Sequence, residues 1–174
     1  MNTPRPLTVH RIKDHSMVLG PGRRCVIRSL DAREYSPEEL CQRVLSIDEI
    51  EGVTLSGGDP LDQPLAELLQ FTKLLKAESD LSVMCYTGRT MDELVEKRDP
   101  VIFEFLVHCD LLIDGRYEQN LNDGSKWRGS SNQKVWHLSS RYDHLCDTIE
   151  TQSQREIEIE IGSENELTIA GIPP

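Results

Sequence analysis

GVTLSGGDPLDQ, residues 52–63, is a short apolar run closed by two glycines and followed by an acid and a proline. Four to eight apolar residues ending in a glycine turn read as a buried strand. Leu65, Leu68, Leu69 and Leu75 then recur at helical spacing. Strand, glycine turn and helix in that order form the unit from which parallel α/β sheets are built. Ligands collect at the carboxyl ends of such strands, so this turn is also the first place to look for a site.

The same unit repeats on either side. Upstream, residues 24–29 (RCVIRS) follow the turn Gly20-Pro21-Gly22 and read as a first strand. Ser36-Pro37-Glu38-Glu39 supplies an N-cap, a proline at the first helical position and a glutamate at the third, which predicts a helix from Pro37. Downstream, residues 81–86 (LSVMCY) and 110–113 (DLLI) read as further strands, stopped by Thr87-Gly88 and Asp114-Gly115. Between them, residues 91–97 and 101–107 are helical pieces split by Pro100. Near-continuous apolar strands separated by helices imply a parallel sheet covered on both faces.

Residues 116–133 are rich in Gly, Ser, Asn and Asp and read as a long loop, and 134–138 as a fifth strand. At the end, 156–161 (EIEIEI) and 166–172 (ELTIAGI) alternate strictly on either side of a turn at 162–165, which predicts a hairpin with one wet face. The expectation is one domain over 1–174, with a core at about 18–140, an acidic linker (residues 148–154 at its centre) and a C-terminal hairpin within 147–173.

The 174 residues carry a formal net charge of -11. Residues 147–166 hold Asp147, Glu150, Glu156, Glu158, Glu160, Glu164 and Glu166 against Arg155 alone. Such a balance argues against binding a phosphate backbone, which needs clustered cations. No apolar run reaches membrane-spanning length and the first residues do not resemble a signal peptide, so the cytoplasm is the expected location. Cys25, Cys41, Cys85, Cys109 and Cys146 form no C-x-x-C pair. Widely spaced in predicted strands and helices, the first four read as small core residues. His10, His15, His108, His137 and His144 show no metal-ligand spacing, so no metal site is expected.

Three turns after strands carry unusual residues. Gly57-Gly58-Asp59 offers bare backbone amides beside a carboxylate, and reads either as a ligand cradle or as a tight turn capped by Asp59. Tyr86-Thr87-Gly88 adds hydroxyls, with a plain turn as its alternative. Asp114-Gly115-Arg116 opens the long loop, which closes with Trp127, Arg128, Gly129, Ser130, Ser131, Asn132 and Gln133. That run suits either a polar ligand or an Ω-loop fastened by its own side chains.

Together these segments resemble the radical S-adenosylmethionine (radical SAM) activases, in particular those that activate anaerobic ribonucleoside-triphosphate reductase. The likeness rests on GPGRR at 20–24, GVTLSGGDPLDQ at 52–63, CYTG at 85–88, residues 110–133 with their closing WRGSSNQ, and LTIAGIP at 167–173. It implies a partial, open (β/α) barrel of parallel strands with SAM lying across the strand ends. Gly57, Gly58 and Asp59 match the motif that holds the methionine amino group, with aspartate where the family usually has glutamate. Tyr86, Thr87, Gly88 and Asp114 match positions lining the SAM pocket.

In that family the first strand runs into a loop with three cysteines, C-x-x-x-C-x-x-C, which bind three irons of a 4Fe-4S cluster; soft thiolates stabilise such clusters. Here only Asp31, Ala32, Arg33, Glu34 and Tyr35 separate the end of the first strand from the helix cap at Ser36, fewer residues than the motif spans. None is cysteine. Three functions remain open: a cluster-less, non-radical SAM-binding or regulatory relative; a genuine glycyl-radical-enzyme activase whose loop is lost from this chain; or an enzyme using the pocket for another small polar ligand. The resemblance implies a glycyl-radical reductase subunit as partner and identifies no catalytic residue.

Overall fold

The structure, a computed structural model, describes residues 5–146, 156–161 and 167–171. In chain order it contains β1 (Leu7–Ser16), β2 (Arg24–Tyr35), α1 (Pro37–Leu45), β3 (Gly52–Ser56), α2 (Leu65–Glu78), β4 (Ser82–Tyr86), α3 (Met91–Lys97), α4 (Pro100–Val107), β5 (Leu111–Asp114) and β6 (Lys134–His137). A separate pair, β7 (Ile157–Ile161) and β8 (Leu167–Gly171), follows. Strands β1 to β6 form one sheet in sequential order. Strands β2 to β5 are parallel, and the edges β1 and β6 run antiparallel. The expected α/β architecture with a terminal antiparallel hairpin is therefore present. The expected linker and hairpin turn lie outside the described residues. Among the described residues no helix is long and apolar enough to cross a membrane.

Local chemistry fixes the elements. Ser36 accepts from the Glu39 amide while the Glu39 side chain accepts from the Ser36 amide, a reciprocal capping box at the start of α1. Thr90 and Glu93 do the same for α3, and Asp99 caps α4, so the two expected helical pieces are present and Pro100 is the first residue of the second. One sheet face packs under α1, α2 and α4 through Cys25, Ile27, Val53, Leu55, Val83, Cys85 and Leu112. The alternate residues face the other way, where Met84, Leu111 and Ile113 meet Trp127, and Val26 meets Val18, Leu19 and Ala170 of β8.

That second face also buries Arg24 completely. Its guanidinium donates to Thr54 Oγ1 (2.6 Å), Val53 O (2.6 Å), Ser82 Oγ (2.8 Å) and Pro21 O (3.1 Å). All four acceptors are neutral. Burial lowers its pKa, offset in part by Tyr142. Gly52 makes room for it: a Cβ there would lie 2.5 Å from Arg24 Nη1 and 2.1 Å from Ser82 Oγ.

Strand β1 was not expected from the sequence, because its apolar residues change register partway. Leu7, Thr8 and Val9 pair with Tyr35, Glu34 and Arg33, whereas Arg11, Ile12 and Lys13 pair with Arg28, Ile27 and Val26. Between the two ladders His10 alone stands opposite Ser29, Leu30, Asp31 and Ala32, so β2 bulges there. The first parallel strand is longer than residues 24–29: β2 runs without a break to Tyr35, directly before the α1 cap. Its parallel pairing with β3 ends at Arg28–Ser56, and beyond that it pairs with β1 only.

Besides the packing of Ala170, the hairpin docks by a polar contact. Glu158 faces Lys13 at 3.4 Å and accepts from the Met17 amide at 2.6 Å, while Ile157 and Ile159 are 45% and 56% exposed. Ile157 and Ile159 thus stand on the wet face of β7.

Candidate functional site

The carboxyl ends of β3, β4 and β5 surround a cavity of about 530 Å³. Its wall includes Gly57, Gly58 and Asp59 after β3, Tyr86, Thr87 and Gly88 after β4, and Gly115 and Arg116 after β5. Gly57 and Gly58 have φ of 62° and 67°, a left-handed conformation that glycine adopts without a Cβ penalty. Six of the seven residues expected around a cofactor are therefore gathered at one cavity. The seventh, Asp114, is buried behind it, where its carboxylate accepts from the amides of Met91 (2.7 Å) and Lys134 (3.0 Å) and joins α3 to β6.

Asp59 holds the two nearest turns together. One carboxylate oxygen accepts from the Leu61 amide at 3.0 Å, capping the 3-10 turn Pro60–Asp62. The other accepts from Thr87 Oγ1 at 2.9 Å and the Gly88 amide at 3.1 Å. A carboxylate has about four lone-pair sites, so room for about one further donor remains. The cavity also carries Asp62, Glu93, Arg89, Arg116 and Tyr117. Arg89 is engaged with Asp62 and with Leu61 O at 3.1 Å. Arg116 belongs to the turn after β5 that the sequence singles out, whereas Asp62, Arg89, Glu93 and Tyr117 were missed, because their place on the cavity depends on how the connecting segments fold back. Tyr86 donates to Trp127 O at 2.8 Å, and burial pushes its phenol well above the ordinary range, so it stays protonated.

The loop after β5 is fastened mainly by its own groups. Ser130 accepts from the Glu118 amide (3.0 Å), Asn132 donates to Arg116 O (2.8 Å), and Gln133 bridges the Gly129 amide (2.8 Å) and Gly115 O (2.7 Å). Ser131 contributes its amide to Leu121 O (2.8 Å). Arg128 pairs with Asp123 at 2.7 Å, and Trp127 packs against the sheet. Of the expected loop motif, then, Trp127, Arg128, Ser130, Ser131 and Asn132 stitch the loop down, and Gln133 reaches the cavity wall.

The cysteines lie elsewhere. Cys25, Cys41, Cys85 and Cys109 are buried, and Cys146 is half-exposed. Burial raises the thiol pKa of all four buried residues, Cys25 to about 12. Although no metal-ligand spacing was expected, the fold brings His137, Asp143 and Cys146 together.

Comparison with known proteins places this architecture among relatives. A family model described as 4Fe-4S single cluster domain matches residues 24–136. The anaerobic ribonucleoside-triphosphate reductase-activating protein of Pasteurella multocida is 44% identical over 92 residues, covering 51% of this chain and 57% of that protein. The protein of the same name from Enterobacteria phage T4 is 35% identical over 96 residues, covering 53% and 56%. Another, from Escherichia coli K12, is 38% identical over 91 residues, covering 51% and 56%. The chain spans about half the length of the curated relatives it matches.

Proposed function

The chain belongs to the 4Fe-4S single cluster domain family, and from that premise we propose that it is an activase-like protein without an iron-sulfur cluster of its own. In this reading it is a non-radical, SAM-binding or regulatory relative of the anaerobic ribonucleotide reductase activases, with the partial barrel of that family. The carrying observation is the unbroken passage of β2 into α1, with only the Ser29–Ala32 bulge where the resemblance calls for a three-cysteine loop.

The remaining thiols do not suit a cluster. A 4Fe-4S centre needs several thiolates converging on one point. Cys25, Cys41, Cys85 and Cys109 are packed in the core between the sheet and the helices, and Cys146 lies apart from that core, beside His137.

The donor set at the strand ends does suit SAM. Asp59 retains about one acceptor site for an ammonium group, the glycine turn allows close backbone approach, and Arg116 stands on the same cavity as a partner for a carboxylate. Bound without a cluster, SAM supplies a charged nucleoside for recognition rather than a radical. The partner implied is a glycyl-radical reductase subunit, and the compartment the cytoplasm.

A second reading, a genuine glycyl-radical-enzyme activase whose cluster loop is lost from this chain, draws support from relatives named as activating proteins. Anaerobic reconstitution with iron and sulfide separates the two. The first expects no stoichiometric charge-transfer absorbance and no SAM cleavage. A four-iron signal coupled to SAM cleavage would overturn it.

A further inference from the structure

We infer that His137, Asp143 and Cys146 form a binding site for a zinc-type divalent metal, independent of the cavity at the strand ends. His137 is the last residue of β6, and Asp143 and Cys146 belong to the 3-10 segment Ser140–Leu145 and its C-cap. A 3-10 helix has three residues per turn, so side chains three apart share a face. Asp143 and Cys146 meet that spacing, and the Cys146 amide bonds the Asp143 carbonyl. One potential ligand atom from each of the three residues lies within 4.8 Å of the others.

The three side chains lie close enough to share an ion once the His137 ring turns. Cys146 Sγ lies 3.6 Å from each ring nitrogen of His137. A tetrahedral zinc with bonds of about 2.3 Å to sulfur and about 2.0–2.1 Å to nitrogen places those two atoms about 3.6 Å apart. Because Sγ is equidistant from both nitrogens, neither is aimed as a ligand in this rotamer, and rotation of the ring about Cβ–Cγ would bring one nitrogen toward a shared ion. Thiolate plus imidazole plus carboxylate is a borderline-soft donor set, suited to zinc over magnesium or calcium.

The scaffold beneath is anchored. Tyr142 donates to Ser82 Oγ at 2.7 Å, Arg141 pairs with Asp80 and faces Asp110, and the Leu138 amide bonds Asp110 O at 2.9 Å. A metal would thus find two of its ligands already positioned beside the third. His137 and Cys146 also line a cavity of about 290 Å³ with Ser125, Trp127, Arg128 and Trp136. The indole N–H groups of Trp127 and Trp136 are buried there without a hydrogen-bond partner. Three protein ligands beside such a cavity describe a site with its fourth position open to water or a small anion.

The test is titration of the metal-free full chain with Co²⁺, then Zn²⁺. The expected result is one equivalent of bound cobalt with intense tetrahedral d–d bands and a sulfur-to-cobalt charge-transfer band, displaced by zinc. Cys146→Ser should abolish the charge-transfer band. His137→Ala and Asp143→Ala should each weaken binding by at least about ten-fold, the cost seen even for losing an outer-shell partner. The exposed neighbour His144, replaced by alanine, should bind as the parent does, and zinc should slow thiol labelling of Cys146. Absence of stoichiometric binding, or binding that survives His137→Ala and Cys146→Ser, overturns the site. Normal far-UV circular dichroism of each variant excludes unfolding as the cause of a loss.

Discussion

Asp59 accepts the hydroxyl of Thr87 at 2.9 Å, so a carboxylate after β3 and a side chain after β4 lock two strand ends into one wall. Removing either partner tests structure and binding separately. Thr87→Val should cost about 1.5–3 kcal/mol, because it removes a donor to the Asp59 carboxylate and the acceptor of the Arg89 amide, and should weaken SAM binding less than Asp59→Ala does. Asp59→Ala should cost about 1–3 kcal/mol and abolish the heat of SAM binding. Calorimetric titration beside urea unfolding reads both; unchanged SAM binding in Asp59→Ala would make the turn purely architectural.

Arg24 should be among the costliest positions in the sheet. It satisfies Val53 O, Thr54 Oγ1 and Ser82 Oγ from a fully buried position. Arg24→Ala removes a donor from Val53 O and Thr54 Oγ1, leaves Tyr142 as the remaining donor to Ser82 Oγ, and opens a cavity, which should destabilise by about 3–5 kcal/mol. Arg24→Met, which refills part of the volume, should lose less. Chemical denaturation gives the comparison, and a cost below about 1 kcal/mol would show that the network does not hold the strands.

Asp110 should make stability depend on acid pH. Its burial alone would raise its pKa, but bonds from Lys76, Ser139 and the Val83 amide outweigh that and hold it below the ordinary carboxylate value. A folded pKa below the unfolded one, about 3.9, stabilises at higher pH and is lost as pH falls through the folded value. Asp110→Asn should therefore cost about 1.5–3 kcal/mol at pH 7, with the gap from the parent shrinking below about pH 4. Urea midpoints for both proteins across that range check the sign.

Thiol labelling under native conditions should modify Cys146 rapidly and the other four cysteines only on unfolding. Cys25, Cys41, Cys85 and Cys109 are buried, with their pKa values raised by desolvation, and the reactive species is the thiolate. Mass spectrometry after brief alkylation reads the stoichiometry. Rapid modification of a second cysteine would show the sheet to be looser than its packing implies.

Much of the parallel core was legible because each strand carries its own stop signal, as Gly57-Gly58 and Thr87-Gly88 do, and because Ser36 and Glu39 write a cap in four residues. β1 was not, since its register shift at His10 scrambles alternation and its pairing lies in residues far along the chain. The glycine turn was readable as a cavity wall, yet nothing local announces that Asp59 would be shared with Thr87 and Gly88. His137, Asp143 and Cys146 were invisible for a related reason: a strand end and a 3-10 turn meet at spacings that match no linear metal motif.

The bulge in β2 gives this sheet a splice point. Hydrogen-bonded ladders on either side of Ser29–Ala32 keep their own registers, Leu7–Val9 with Arg33–Tyr35 and Arg11–Lys13 with Val26–Arg28. Chain can be inserted or deleted between them without re-registering either ladder or disturbing the core beneath. Chain length at this point of the sheet is therefore decoupled from the pairing on either side of it.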